Sequence, residues 1–326
     1  MKCTNNRKTY GLLCILCIAA IFMSGCGQAA IERPYAIYSS DMSDFGENHH
    51  NAFFAEELCV APDENHGLES VDSQVAEGAG VFNLNTGEIT YQQNIYRKLY
   101  PASTTKIMTA YIILKNCNLS DYVTVSKEAV TQSQDSSVCG LKEGDIITVN
   151  DLLYGLMLAS GNDAANVLAE YYAGDVNSFA DVMNKEAKAL GCTGTHFVNA
   201  NGMPDENHYT TVYDMYLIFK EAIKNETFVN IIHSATYDAL YTDKEGKSVK
   251  KTWNNSNRYM NGAKSMPKGI AVIGGKTGTT GAAGYCLVLL STNEADEQLI
   301  SIVFKADGVS NLYLLMSEIL QEFGNL

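Results

Sequence analysis

Positive charge is scarce in this chain: 23 lysines and arginines stand against 37 aspartates and glutamates, a formal net charge of −14 over 326 residues. No basic stripe and no interleaving of aromatic with basic residues offsets that balance, which argues against a nucleic-acid partner. No apolar run spans a membrane comfortably. The N-terminal run, Tyr10 to Met23, falls short of the roughly 20 residues a bilayer needs. The Gly-x-Ser-x-Gly turn of one class of serine hydrolases is absent, and so is the His-Glu-x-x-His string of zinc peptidases. Of the six histidines, His49, His50 and His66 fall in polar, aperiodic sequence, and His196 and His208 flank the Asn199–Gly202 loop, where a structural polar role is expected. Beyond Cys26 the cysteines are Cys59, Cys117, Cys139, Cys192 and Cys286, an odd number without Cys-x-x-Cys spacing. A chain of this length buries a core without staples, so free, buried thiols are expected.

What is present begins with the first 26 residues. Lys2, Arg7 and Lys8 precede the apolar run, and Ser24, Gly25 and Cys26 follow it, the architecture of a secretory signal. Met23-Ser-Gly-Cys26 is similar to a bacterial lipobox, with Met23 where leucine is usual, so residues 1–25 are expected to be removed and Cys26 lipidated. Residues 26–73 are rich in Asp, Glu, Asn, Ser and His and read as a flexible tether. Residues 74–326 read as the folded domain. A hairpin is expected around Asn85-Thr-Gly-Glu88, and helices over 103–114, 151–159, 163–172, 179–190 (capped by Ser178) and 211–222. A second hairpin is expected around Asp243-Lys-Glu-Gly246, then three strands over 269–279, 284–292 and 299–305, and a closing helix over 310–323. The order implies an α+β fold, with an antiparallel sheet built from both chain ends and a mainly helical lobe inserted between.

Three short strings carry chemistry: Ser103-Thr-Thr-Lys106, Ser160-Gly-Asn162 and Lys276-Thr-Gly278. Singly they are weak, since Ser-x-x-Lys also occurs at Ser248 and Ser265. Their order and setting discriminate. A serine hydroxyl needs a neighbouring base before it attacks, and Lys106, one helical turn on, shares its face. Burial and the charge of Lys276 would lower the pKa of that amine enough for it to act as base. Ser160 and Asn162 interrupt two apolar helices, which suits a polar turn aimed into a cleft. There Ser160 can relay a proton, and Asn162 can position substrate or Lys106. Lys276, Thr277, Gly278 and Thr279 lie on a strand of small residues along which a peptide could pair. Lys276, Thr277 and Thr279 could hold a terminal carboxylate, and the backbone N–H groups of Ser103 and Thr279 could form an oxyanion hole.

These strings, in this order, resemble the motif set of penicillin-binding proteins and class A β-lactamases, in which the second string takes the form Ser-Asp-Asn. From about Ala76 to Phe323 the chain resembles the D-alanyl-D-alanine carboxypeptidases, the low-molecular-mass penicillin-binding proteins. The likeness extends to Pro101–Ala110, Ser160–Ala165, Asn201–Asp205, Tyr209–Thr211 and Gly275–Thr280. It implies a β-lactamase/transpeptidase-like fold and acyl-enzyme chemistry on peptidoglycan stem peptides ending in D-Ala-D-Ala. Covalent capture by β-lactams and the absence of any metal or organic cofactor are implied as well. With the signal, it implies export to the outer face of the cytoplasmic membrane and anchoring through lipid on Cys26. Many relatives carry a further β-rich domain and an amphipathic anchor, for which that lipid would substitute. Many also place an arginine just after the last strand. Here Lys305-Ala-Asp307 stands there, so carboxylate recognition is expected to fall to Lys305, Thr277 and Thr279. A class A β-lactamase would need a Glu-x-x-Leu-Asn string between Asn162 and Lys276, which is missing. A catalytically idle penicillin-binding wall protein would not need all three motifs intact.

Overall fold

Strand β1 (Gly78–Asn83) turns through Gly87, at φ 73°, into β2 (Ile89–Gln93), and the side chain of Asn83 accepts from the N–H groups of Asn85 and Thr86 to hold the turn. The hairpin then waits for partners from the other end of the chain. A computed structural model describes residues 58–60, 62, 64–133 and 136–326, all within one compact unit. In it, β7 (Ala271–Thr280), β8 (Gly284–Thr292) and β9 (Gln298–Ala306) complete a five-stranded antiparallel sheet in the order β2-β1-β9-β8-β7. The register of β1 on β9, from Gly78 opposite Phe304 to Asn83 opposite Leu299, joins the two ends.

Both faces of this sheet are covered, so its central strands read as nearly continuous apolar runs. Alternation decides which side chain goes where. On β8, Cys286, Val288 and Leu290 enter the large core shared with the helical lobe, while Leu287 and Leu289 enter a second core. That second core is closed by α8 (Val309–Phe323) through Leu312, Met316, Ile319 and Phe323. The lobe holds α1 (Lys106–Asn116), α2 (Lys127–Val130), α3 (Val149–Met157), α4 (Asn162–Ala173), α5 (Val176–Ala189), α6 (Val212–Ala222) and α7 (Glu226–His233). A four-stranded sheet, β3-β4-β5-β6, flanks it, built from β3 (Tyr122–Thr124), β4 (Ile146–Thr148), β5 (Thr236–Thr242) and β6 (Ser248–Asn254).

The α+β class and the sheet built from both ends are as expected. The hairpin around Gly246 differs: it pairs with β4 in the second sheet instead of extending the first. The helix expected over 103–114 is split into a 3₁₀ turn, Ala102–Thr105, and α1. The cap of α5 is Asp175, whose carboxylate accepts from the Ser178 N–H at 2.9 Å, so Ser178 lies inside the helix. The packed chain also begins well before residue 74. His66 exchanges backbone hydrogen bonds with Gln92, and the Ser73 carbonyl accepts from Gln93 Nε2. Cys59 is buried, its N–H donating to the Tyr216 hydroxyl and its carbonyl accepting from that of Tyr213. The end of the expected tether is therefore part of the domain. The signal segment, Cys26, His49 and His50 lie outside the described residues. Among the described residues all five cysteines are free, and all but Cys117 are buried.

Candidate active site

The turn that carries Ser103 is built under constraint. Ala102 adopts φ 47°, a left-handed conformation that costs a non-glycine residue of the order of 1 kcal/mol. Two glycines hold it from opposite sides. A Cβ on Gly202 would lie 1.9 Å from the Ala102 carbonyl oxygen, and one on Gly278 would lie 2.9 Å from that of Pro101 and 3.0 Å from the Ser103 nitrogen. The small residues of β7 thus admit this chain's own backbone. At Gly274 the near neighbour is the Ile232 carbonyl, and at Gly275 that of Val288. Strand β7 still ends the sheet, so its outer edge faces the site.

Lys106 is fully buried, and its Nζ sits 2.9 Å from Ser103 Oγ, 2.8 Å from Asn162 Oδ1 and 2.7 Å from the Asn201 carbonyl oxygen. Burial first, and the charge of Lys276 second, push its pKa well below the ordinary lysine range. A neutral amine has two hydrogens and one lone pair. The two carbonyl oxygens can only accept, so they take both hydrogens and leave the lone pair facing Ser103. In that neutral form the Ser103 hydroxyl donates to nitrogen; when the amine is protonated, Nζ donates to Ser103 Oγ. The pair is arranged for proton transfer from serine to lysine.

Lys276 is also buried, which lowers its pKa to about 7. Its Nζ donates to Ser160 Oγ at 2.9 Å and to the Thr277 carbonyl at 2.8 Å. Ser160 takes φ 58° in the break between α3 and α4, which turns its hydroxyl out of the helical path. The neighbouring Asp163 anchors that break, accepting from the N–H groups of Cys139, Gly140, Leu141 and Ala164. Thr277 Oγ1 pairs with Ser256 Oγ at 2.7 Å, Gly278 is buried, and Thr279 is exposed on the edge of β7. Cavities of about 300 Å³ and about 200 Å³ meet at Ser103 and Thr279. Ser160, Thr277 and Arg258 line the first, and Asn162, Asn201 and Met203 line the second.

All eight residues read from the three strings, Ser103, Lys106, Ser160, Asn162, Lys276, Thr277, Gly278 and Thr279, come together here. Lys305 does not. It adopts φ 58°, its Nζ pairs with Glu77 Oε1 at 2.7 Å, and it lines two neighbouring cavities. Asn201 was not among the residues picked from the sequence as a site. Its carbonyl serves Lys106 while its side chain bridges Asn166 and the Met203 N–H. His208 braces the turn that carries Ser103. Its Nδ1 accepts from the Val198 N–H, so Nε2 carries the proton and donates to Thr105 Oγ1 at 2.9 Å. Burial lowers its pKa to about 4. Among the described residues no cluster of His, Cys, Asp and Glu could hold a metal ion.

The sequence pattern of the D-alanyl-D-alanine carboxypeptidase family matches residues 66–308. The chain belongs to that family. It is 36% identical over 237 residues to the D-alanyl-D-alanine carboxypeptidase DacF of Bacillus subtilis, covering 71% of this chain and 57% of that one. It is 37% identical over 265 residues to DacC of Escherichia coli, covering 78% and 60%. The chain thus spans somewhat over half the length of these carboxypeptidases. The Streptomyces K15 DD-transpeptidase structure superposes with a TM-score of 0.70 at 33% identity, over 77% of this chain and 97% of that one. The fold is accordingly the DD-peptidase fold.

Proposed function

We propose that this family member is a serine-type D-Ala-D-Ala carboxypeptidase that trims the terminal D-alanine from peptidoglycan stem peptides. The observation that carries the reading is the three-way hold on Lys106 Nζ, which aims its lone pair at Ser103 Oγ. Lys106 takes the serine proton as Oγ attacks the carbonyl carbon of the penultimate D-alanine. The backbone N–H groups of Ser103 and Thr279 receive the oxyanion. Ser160, hydrogen-bonded to Lys276, delivers its proton to the departing amine as the C–N bond breaks and takes in exchange the proton that Lys106 had received, so Lys106 is neutral again. Because Ser160 lines the larger of the two cavities, the leaving D-alanine occupies that cavity and the acyl portion the other. Water then attacks the ester, giving its proton to Lys106, which passes it to Ser103 Oγ as the ester C–O bond breaks, and the shortened peptide leaves. A β-lactam follows the same first step but keeps its amine tethered, which slows release.

The signal architecture of residues 1–26 supports export and anchoring by lipid on Cys26, at the outer face of the cytoplasmic membrane. Intact mass measurement of the mature N-terminus tests this: a diacylglyceryl cysteine supports the anchor, and an unmodified residue at another cleavage point refutes it. For the activity, a soluble chain beginning before Leu58 is mixed with a diacylated Lys-D-Ala-D-Ala peptide, with and without penicillin pretreatment. Penicillin-sensitive release of one D-alanine is expected. Covalent penicillin binding without release would overturn the carboxypeptidase reading.

A further inference from the structure

A peptide that ends in a carboxylate brings a full negative charge within one residue of the scissile bond, and a site for it needs an unspent cation there. Lys106 and Lys276 lie nearby, but both are buried, and their amines are committed to internal acceptors. Lys305, the candidate drawn from the sequence, is held by Glu77, which also binds Arg97 at 2.9 Å.

Arg258 remains. It lines the cavity of about 300 Å³ together with Ser103, Ser160, Ser256 and Thr277, and among the described residues no acidic side chain lines that cavity. Among the described residues the guanidinium has no acidic partner; its carbon stands 5.7 Å from the centre of the Tyr313 ring. The turn that carries it is rigid. Asn255 is buried and donates to the carbonyls of Ile232 and Ser234, and its Oδ1 accepts from the Asn257 N–H. Asn257, fully buried, accepts from the Tyr259 N–H, while the Ser256 N–H donates to the Leu158 carbonyl, two residues before Ser160. The Arg258 N–H donates to the Tyr313 hydroxyl at 2.9 Å. Ser256 Oγ is paired with Thr277 Oγ1, so this turn is tied to the very threonine expected to face the carboxylate. A flat guanidinium on a pinned backbone suits two-point recognition of a planar anion.

We infer that Arg258, on the turn between β6 and β7, holds the C-terminal carboxylate of the substrate and so sets the preference for peptides with a free acid end. The inference rests on the proposed carboxypeptidase reading. It moves the recognising charge from the end of β9 to the turn that follows β6, and it extends to the carboxylate of a penicillin.

The test pairs Arg258→Gln, Arg258→Lys and Lys305→Gln with two substrates, the D-Ala-D-Ala peptide and its C-terminal amide. A second arm measures acylation by benzylpenicillin and by its methyl ester, read by intact mass. Arg258→Gln is expected to lower kcat/KM for the free acid by about 10- to 100-fold, chiefly through KM, and to change the amide by less than about threefold. Arg258→Lys restores part of the loss, and Lys305→Gln leaves the acid-to-amide ratio unchanged. Benzylpenicillin loses reactivity with Arg258→Gln while its ester does not. Equal losses on acid and amide would make Arg258 merely structural and overturn the inference. So would an unchanged acid-to-amide ratio in Arg258→Gln, or a selective loss in Lys305→Gln. Should the unsubstituted chain cleave neither peptide yet react with penicillin, the carboxypeptidase reading fails and the penicillin arm alone still decides Arg258.

Discussion

Replacing Asn162 by aspartate changes one atom's charge and almost nothing of its shape, which makes it a direct probe of Lys106 as the base. Asn162 Oδ1 lies 2.8 Å from Lys106 Nζ. Two unit charges at that distance attract by about 6 kcal/mol at an effective dielectric of about 20. Burying the new carboxylate, at a position 3% exposed, gives back much of that. If one third survives, about 2 kcal/mol, the pKa of Lys106 rises by roughly 1.5 units. The sign is fixed: an adjacent anion favours the protonated amine, and a protonated amine has no lone pair for Ser103. Acylation by benzylpenicillin, followed by intact mass from pH 5 to 10, is the assay. Asn162→Asp is expected to move the acid limb of the rate profile up by at least one pH unit and to recover most of the rate at high pH. A uniform drop with the limb unmoved would show that Lys106 is not the group whose deprotonation permits attack.

Gly278→Ala places a Cβ 2.9 to 3.1 Å from three backbone atoms of the Pro101–Thr104 turn, so the nucleophile must shift by some tenths of an ångström. Penicillin acylation should fall by about 100-fold while the melting temperature drops only a few degrees. Lys276 has a folded pKa of about 7 against an ordinary 10.5, so between those values the unfolded chain holds the extra proton. Stability should therefore climb with pH from about 7 towards 10, by up to about 1.4 kcal/mol per unit, and urea titrations should show a flatter climb in Lys276→Met. Asp163→Asn turns an acceptor of four backbone N–H groups into a group that accepts through one oxygen only. A loss of about 3 kcal/mol in unfolding free energy is expected, and an unchanged midpoint would remove the anchoring role given to that carboxylate.

Most of the architecture was legible because its signals are local. Short apolar runs bounded by turn residues marked β8 and β9, and a cap marked α6, where Thr211 Oγ1 accepts from the Asp214 N–H. Three-residue strands such as β3 and β4 are too short to show a period, and they exist because the lobe supplies an edge to pair with. The expected cap, Ser178, and the observed one, Asp175, are both capping residue types, and only geometry separates them. At the site, the strings named the side chains that act through their own functional groups. They did not name Asn201, whose part is a backbone carbonyl that any residue possesses, nor did they point to Arg258, which lies outside all three. Charge at the end of a strand is visible in sequence, whereas its neutralisation by Glu77, more than 200 residues earlier, is not.

The pairing of β1 with β9 sets a condition on how this protein matures. During vectorial synthesis the first hairpin is made early, yet its inner edge stays open until the last strand has been delivered, a delay of more than 200 residues. Contacts of such long range are slow to close, and an open, largely apolar strand edge invites wrong pairing in the meantime. The pocket around Ser103 cannot exist before that closure, because β7 reaches β1 only through β8 and β9. A β-lactam label on Ser103 therefore reports on completion: nascent or truncated chains lacking β9 should carry none, and labelled molecules should be those whose first and last strands have met.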